Sequence, residues 1–353
     1  MIGLLTPARL RQGFAIFVLI SVIAYGAVLL YGHDANGFIT SLSRLRWRWM
    51  VVGAVLASMD WFGGGLRLWV LAREVHPNPP IKGMVIASGM GAWGSYLTPF
   101  QAGASPLMIY TMTRFGIPLP KAVTTTLMSF IATVAFFAIA GPTALVLGAG
   151  KSLAQQEHFL GLSLLDLFKT SMAIFVALGI LLLLVMVAPR LISALVHRIA
   201  TALGKRSSRV ANRLDRLRDG IDQAHESMRI FNSPRGWLAL FWATLLSGPS
   251  HANKLLAGYV ALRAIGIHAQ LFDVLLLQTF ISSMLYFAPT PGASGFAEGL
   301  STIVMTTYVM PVLIPVYTLV WRFVLTWFTM GAGFVVFSAW VRRGLKAIEV
   351  PDP

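Results

Sequence analysis

Tyr286-Phe-Ala-Pro289-Thr-Pro291-Gly292-Ala-Ser294-Gly295-Phe-Ala-Glu298 lies inside an apolar region, 271–310, and interrupts it with two prolines and two glycines. Tyr96-Leu-Thr-Pro99-Phe-Gln101-Ala-Gly103-Ala-Ser105-Pro106 breaks a second apolar region, 81–116, in the same manner. Proline has no backbone N–H and its ring clashes with the preceding turn, so neither region reads as one continuous helix. Each reads as a hairpin, two apolar arms around a broken tip. Tyr96-Leu-Thr-Pro99 and Tyr286-Phe-Ala-Pro289 stand 190 residues apart, and the same offset pairs Arg73 with Arg263, Val70 with Val260 and Trp69 with Tyr259. With one residue removed from the second copy, Gly103-Ala-Ser105 aligns with Gly292-Ala-Ser294. Both copies run in the same order: membrane helix, arginine near its end, apolar arm, Tyr-x-x-Pro, Gly-Ala-Ser, second arm, long helix. That order reads as an internal repeat.

Composition says what surrounds the hairpins. The 353 residues are 56% apolar and only 12% charged, with a mean hydropathy of +0.73. Soluble domains carry roughly 25% charged residues, so a water-soluble globule is excluded. There is no cysteine, which removes disulfides, thiolate metal sites and cysteine nucleophiles together. A bilayer core about 30 Å thick needs around 20 apolar residues per helix. Stretches 14–31, 49–72, 121–149, 170–188, 236–262 and 312–341 meet that need. The expected fold is an all-α polytopic membrane protein with about six full spans plus the two Pro/Gly-broken hairpins. Residues 1–353 are expected to form a single membrane domain, with repeat halves over 49–149 and 236–341. The first apolar run is too long for a signal-peptide core and is followed by no small-x-small site, so it reads as a retained span.

Cations set the orientation. Of the 28 Lys and Arg, nineteen fall on the side of the N-terminus, among them ten between Arg190 and Arg235. Six fall on the other side, including Arg44, Arg46 and Arg48, which read as snorkelling at the interface beside Trp47 and Trp49. The positive-inside rule then favours both termini in the cytoplasm, and the expected location is the cell inner (cytoplasmic) membrane. On this count the net charge of +15 is mostly topology, and nucleic acid is not an expected partner. Hairpin 81–116 starts and ends on the cytoplasmic side, whereas 271–310 starts and ends outside. Opposed entry of two related elements is the inverted-repeat arrangement of many transporters, with substrate near the midplane.

The second arms begin at Gly103-Ala-Ser105-Pro106 and Gly292-Ala-Ser294-Gly295. Serine with small neighbours, and proline in a first turn, are helix-start signals. Free N–H groups and the positive dipole end there could seat a phosphate, or the small residues could simply let helices pack closely. Packing is the favoured reading for Gly63-Gly-Gly65 and Gly331-Ala-Gly333.

Five charged residues, Asp60, Arg67, Lys254, Glu298 and Arg322, fall within apolar stretches, where each costs about 2.5–3.5 kcal/mol unless paired or wetted. Asp60 and Arg67, seven apart, share a helix face. Lys254 follows a Gly248-Pro249 break expected to kink its helix. Glu298 has three possible roles: complement to a helix dipole, countercharge to Arg67, Lys254 or Arg322, or protonatable coupling group. Three cations against two anions favour an anionic headgroup. The expected substrate-binding set is Pro99, Gln101, Gly103, Ser105, Pro289, Pro291, Gly292, Ser294, Arg67, Lys254 and Arg322, with Glu298 and Asp60 as coupling residues.

Other motifs carry less. Gly89-Met-Gly91-Ala-Trp-Gly94 matches G-x-G-x-x-G but lies in a membrane arm with no strand before it. The seven histidines form no i,i+3 or i,i+4 pair, so no metal site is expected. No hydrolase elbow, zincin or P-loop motif occurs, so no catalytic residue and no cofactor is expected. Within the basic cytoplasmic segment 190–235, Val210, Leu214, Leu217, Ile221, Ala224, Met228 and Phe231 recur at helical spacing. This amphipathic helix, 207–231, would lie under the membrane domain or on anionic headgroups, or serve homo-oligomers or a cytoplasmic partner.

Phe287-Ala-Pro289-Thr-Pro291-Gly292-Ala-Ser294-Gly295-Phe-Ala-Glu298 resembles the Pro-x-Pro-Gly-Gly-x-Gly-x-x-Glu element of the flippase-like family known as the lysylphosphatidylglycerol synthase transmembrane region. Pro99 to Gly103, followed by Arg114-Phe-Gly116, is similar to the family's Pro-x-x-x-Gly-Gly element and its trailing basic-x-Gly. The resemblance runs over roughly 14–341. Ala104 and Ala293 stand for the second glycines, and Ser105 and Met108 for the acidic and basic residues that many members carry. The resemblance implies movement of an amphipathic lipid between leaflets. It covers no aminoacyl-transfer domain, so lysyl-lipid synthesis is not implied, and polyprenyl-phosphate carriers or other phosphate-bearing lipids are open as substrates. A transporter, rather than an enzyme, is therefore expected. The alternatives are a membrane enzyme acting on a polyprenyl-phosphate lipid and a scaffold or regulator of envelope synthesis.

Overall fold

A computed structural model describes residues 7–31, 35–149, 158–159, 162–188 and 229–349. The chain is an all-α polytopic membrane protein. Among the described residues, four helical stretches are long and apolar enough to cross a membrane: Trp47–Val75, Leu119–Gly148, Leu164–Val187 and Pro311–Trp340. Exposed side chains on them and their neighbours, among them Val55, Phe62, Phe130, Ile139, Phe241 and Leu245, form an apolar exterior suited to lipid tails.

Helices α1 (Pro7–Tyr31) and α2 (Ala35–Ser43) lead into α3 (Trp47–Ala57). One tight turn, Ser58–Asp60, separates α3 from α4 (Phe62–Val75). The first hairpin follows as α5 (Ile81–Tyr96), a turn at Pro99–Gln101 and α6 (Ala104–Arg114). Next come α7 (Leu119–Ala144), a minimal ribbon of His158–Phe159 on Leu162–Ser163, and α8 (Leu164–Val187). Then α9 (Pro234–Ser250) and α10 (Ala252–Ala264) meet at His251. The second hairpin is α11 (Leu271–Leu285), a turn at Pro291–Ala293 and α12 (Phe296–Met305). Finally α13 (Ile314–Arg322) passes through a π turn, Phe323–Trp327, into α14 (Phe328–Glu349).

Two stretches read from sequence as single spans are thus broken helices. The 236–262 run breaks at His251, within three residues of the Gly248-Pro249 pair that kinks it. The 49–72 run breaks at Ser58–Asp60 with no proline to announce it. The two broken helices lie antiparallel. The Arg46 N–H, at the start of α3, reaches the Ala264 carbonyl at the end of α10 (2.9 Å). Their midpoints touch at Gly63, where a Cβ would come within 2.9 Å of the Pro249 carbonyl oxygen. Gly64 and Gly65 press equally closely on Ser88 and Val85, and Gly333 on Trp93, whereas Gly331 faces open space.

Hairpin arms pack backbone to backbone: a Cβ on either Gly94 or Gly103 would meet the other's carbonyl oxygen at 2.5 Å. At a rise of 1.5 Å per residue, the 16-residue α5 is roughly 24 Å long and the 15-residue α11 roughly 22 Å. Both fall short of a ~30 Å hydrocarbon core. Hydroxyls in the long helices also bond locally: Thr125, Thr126 and Thr133 each donate to the carbonyl four residues back, which leaves the oxygen of Thr133 free to accept. The expected helix 207–231 lies outside the described residues except for the turn Arg229–Phe231, whose Phe231 is buried with Leu71 and Ala239.

Candidate functional site

The two broken tips meet. Each is a single tight turn opened by a proline, Pro99–Gln101 and Pro291–Ala293. Each holds two consecutive residues in the left-handed region: Phe100 and Gln101 at φ 52° and 55°, Gly292 and Ala293 at φ 58° and 54°. A side chain at positive φ costs of order 1–3 kcal/mol, and persists only where its surroundings hold it. The surroundings here are the opposite tip, since the Phe100 N–H donates to the Ala288 carbonyl (3.1 Å).

The turns set a register different from the sequence pairing. Pro99 superposes in role on Pro291, and Gly103 on Gly295, each glycine standing just before the first residue of a second arm. The sequence had paired Gly103 with Gly292, because Gly-Ala-Ser recurs there by letter but not by position in the turn.

The helix starts are partly filled from within. At α6 the Gly103 N–H donates to Thr98 Oγ1 (2.7 Å). At α12 the Gly295 N–H donates to Glu298 Oε2 (2.8 Å), so the protein's own carboxylate occupies an anion position.

Beneath the tips is a small cavity of about 20 Å³, room for about one water, with polar groups set in a largely apolar wall. Tyr96, Gln101, Lys254, Tyr286, Thr290 and Thr326 line it, together with Gly292 and Ala293 from the second tip. Its wall holds no carboxylate. Every hydroxyl on it comes from a different helix or turn from Lys254, so the site exists only in the assembled fold.

The three membrane cations differ sharply in how well they are satisfied. Arg322, fully buried, uses all five N–H groups. Its Nε and Nη2 clamp Glu298 Oε1 (2.7 Å) and Oε2 (3.1 Å), Nη1 donates to the Gly292 carbonyl (3.1 Å) and Thr326 Oγ1 (3.3 Å), and Nη2 also reaches Ser294 Oγ (3.5 Å). This pair ties α13 to the second tip and has no donor left for a ligand. Arg67, 7% exposed, donates from Nη1 to Thr133 Oγ1 (2.7 Å) and Ser247 Oγ (3.1 Å), while its buried Nε has no partner. It has hydroxyls but no carboxylate.

Lys254 is the least satisfied. Its ammonium lies 3.8 Å from Asp60 Oδ1 and 6.0 Å from the centre of the Tyr286 ring. Asp60 Oδ2 meanwhile accepts from the hydroxyls of Tyr96 (3.0 Å) and Thr329 (3.1 Å). Tyr286 in turn donates to His251 Nε2 (2.8 Å), whose Nδ1 donates to the Ser247 carbonyl (2.7 Å). One polar seam therefore runs from Arg67 through Ser247, His251 and Tyr286 to Lys254 and Asp60, along the line where the two broken helices interrupt.

Of the residues singled out from sequence, the fold brings Gln101, Gly292 and Lys254 to the cavity. Pro99 and Pro289 stand exposed beside it, whereas Pro291 and Gly103 are buried as turn and cap. Asp60 lies behind Lys254. Arg67 lies further along the seam. Glu298, Arg322 and Ser294 form the clamp behind the second tip, where Ser294 also meets Ser21 of α1 (2.9 Å). Ser105 is exposed on α6 and away from the cavity wall. Sequence reasoning passed over the hydroxyl donors Tyr96, Tyr286, Thr98, Thr290 and Thr326. The signal was present for two of them: tyrosine opens both Tyr-x-x-Pro motifs.

Among the described residues no cluster of His, Asp or Glu could hold a metal ion. A search of curated proteins found no match. The family model of the lysylphosphatidylglycerol synthase TM region matches residues 13–333, so the chain belongs to that family.

Proposed function

We propose that this protein carries an anionic lipid, a phospholipid or a polyprenyl-phosphate carrier, between the leaflets of the bacterial inner membrane. The headgroup passes between the two hairpin tips while the tails stay in the bilayer. One observation carries this reading: both tips meet over a small cavity lined by Lys254, whose ammonium has no hydrogen-bond partner among the described residues. A half-buried cation with free donors fits phosphate, and membership of the family fits a membrane protein concerned with lipids.

The hairpins act as an inverted repeat in this proposal. In support, α3–α4 and α9–α10 break in their middles and run antiparallel, and α5 and α11 are too short to span. On this reading both re-enter, one from each face, with both termini cytoplasmic. The cavity as it stands holds little more than one water, so the headgroup enters only when the Phe100–Ala288 contact parts. The alternative, a membrane enzyme, calls for a carboxylate reaching the groove; among the described residues that line the cavity there is none, Asp60 lying behind Lys254.

The test is reconstitution into vesicles containing a fluorescent phosphatidylglycerol, with the outer-leaflet dye reduced chemically. Exchange faster than in empty vesicles, lost in Lys254→Gln, is the expected result. Rates equal to those of empty vesicles, for phosphatidylglycerol, phosphatidic acid and a polyprenyl phosphate alike, overturn the reading.

A further inference from the structure

We propose that Asp60, and not Glu298, takes up a proton when an anionic headgroup binds Lys254, so that the lipid and a proton move together. The inference rests on the lipid-carrier reading above and assigns its coupling chemistry.

Glu298 is unsuited to the task. Both its oxygens are committed to Arg322, and Oε2 also caps α12. Protonating it would strand a fully buried guanidinium. Asp60 is held differently. Its carboxylate takes the Tyr96 and Thr329 hydroxyls and neighbours the buried Asn253 amide, but the one cation beside it among the described residues is Lys254, in a loose contact to Oδ1 at 3.8 Å, and Lys254 lines the cavity. A phosphate entering the cavity competes for the same ammonium. If Lys254 swings to the phosphate, the Asp60 carboxylate is left without a counterion in a site 4% exposed, which is costly unless it is neutralised.

The surrounding hydrogen bonds are ready for that neutralisation. Tyr96 Oη lies within bonding distance of two acceptors, Asp60 Oδ2 (3.0 Å) and the Leu325 carbonyl (2.9 Å), and has one proton to give. With Asp60 charged, Tyr96 donates to the carboxylate. With Asp60 protonated, Oδ2–H donates to Tyr96 Oη, and the tyrosine proton turns to Leu325. Leu325 sits in the π turn Phe323–Trp327, which puts its carbonyl at the seam. No hydrogen bond is lost in either state. The balance is simple: one O–H bond forms on Asp60 with a proton from water, and one lipid monoanion replaces Asp60 as the counterion of Lys254.

The charged and titratable groups around Asp60 permit this. Lys254 faces it from α10 and Tyr96 from α5, while Thr329 of α14 only donates. Arg67, two turns along α4, is held by Thr133 and Ser247 and keeps the seam cationic in both states. His251 and Tyr286 lie beyond Lys254 and are bonded to each other.

The experiment is calorimetric titration of the detergent-purified full chain with short-chain phosphatidylglycerol, in two pH 7 buffers of different protonation enthalpy. Close to one proton taken up per lipid bound is expected. Asp60→Asn, which keeps an acceptor for Tyr96 and Thr329, is expected to bind lipid with no proton uptake. Lys254→Gln is expected to weaken binding at least tenfold. Infrared difference spectra of the unmodified protein give a second readout, a protonated-carboxyl C=O band that grows on lipid addition. Binding without proton uptake and without that band, or uptake that persists in Asp60→Asn, overturns the inference and leaves the carrier reading standing. Binding with one proton but no leaflet exchange removes the carrier reading and keeps the coupled site. Absence of binding overturns both.

Discussion

At the scale of single residues, the question is which buried charges hold the fold together and which wait for a ligand. Arg322 and Glu298 are completely satisfied by each other and by the second tip, so removing one leaves the other charged, dry and alone. Glu298→Gln is expected to cost about 3–5 kcal/mol of stability, the usual loss when one partner of a buried pair is removed. Unfolding in graded denaturant in mixed micelles would read it. Lys254→Gln should cost less, because Asp60 retains Tyr96 and Thr329 as donors, yet it should abolish lipid exchange. Equal stability losses in the two variants would mean that Lys254 too is a structural ion. The sequence named all five membrane charges, since any ionisable residue in an apolar run stands out. It could not sort them. Satisfaction depends on hydroxyls and carbonyls from distant segments, such as Thr133 for Arg67 and Gly292 for Arg322, and no spacing rule reports those contacts.

At the scale of elements, small residues decide how closely the broken helices approach. Gly63 sits against the Pro249 carbonyl where the two midpoints cross, and backbone cannot give way as a flexible side chain can. Gly63→Ala is expected to destabilise by about 1–3 kcal/mol, as overpacking of a filled interior does. Gly331→Ala, with nothing within 4 Å, should be neutral or gain up to about 1 kcal/mol from helix propensity. Thermal unfolding of both variants checks the contrast, and a neutral Gly63→Ala would show that the crossing can relax. From sequence the glycines at 63 and 331 looked alike, because each heads a Gly-x-Gly triplet in an apolar run. Element boundaries were legible where proline marked them, as at Pro99 and Pro291. The break at Ser58–Asp60 carries no such mark, and the tip register was misread through a coincidence of letters.

At the scale of the whole molecule, transport between the tips requires that they separate, which a covalent tether would forbid. The chain has no cysteine, so an introduced pair is the only thiol pair present. The Phe100 N–H to Ala288 carbonyl bond brings the two backbones to 3.1 Å between donor and acceptor. Residues joined by such a bond have Cα atoms within the ~4.4–6.8 Å that a disulfide spans. The double variant Phe100→Cys, Ala288→Cys is therefore expected to cross-link on mild oxidation, read by loss of alkylatable thiol. Vesicles containing the oxidised protein should exchange fluorescent phosphatidylglycerol no faster than empty ones, and reductant should restore the rate. Each single variant should be insensitive to oxidation, which separates the tether from the loss of the Phe100 ring. Full exchange by completely cross-linked protein would mean that the headgroup takes another path. Lys254 would then face a cavity that never opens, and its role would fall back to balancing Asp60.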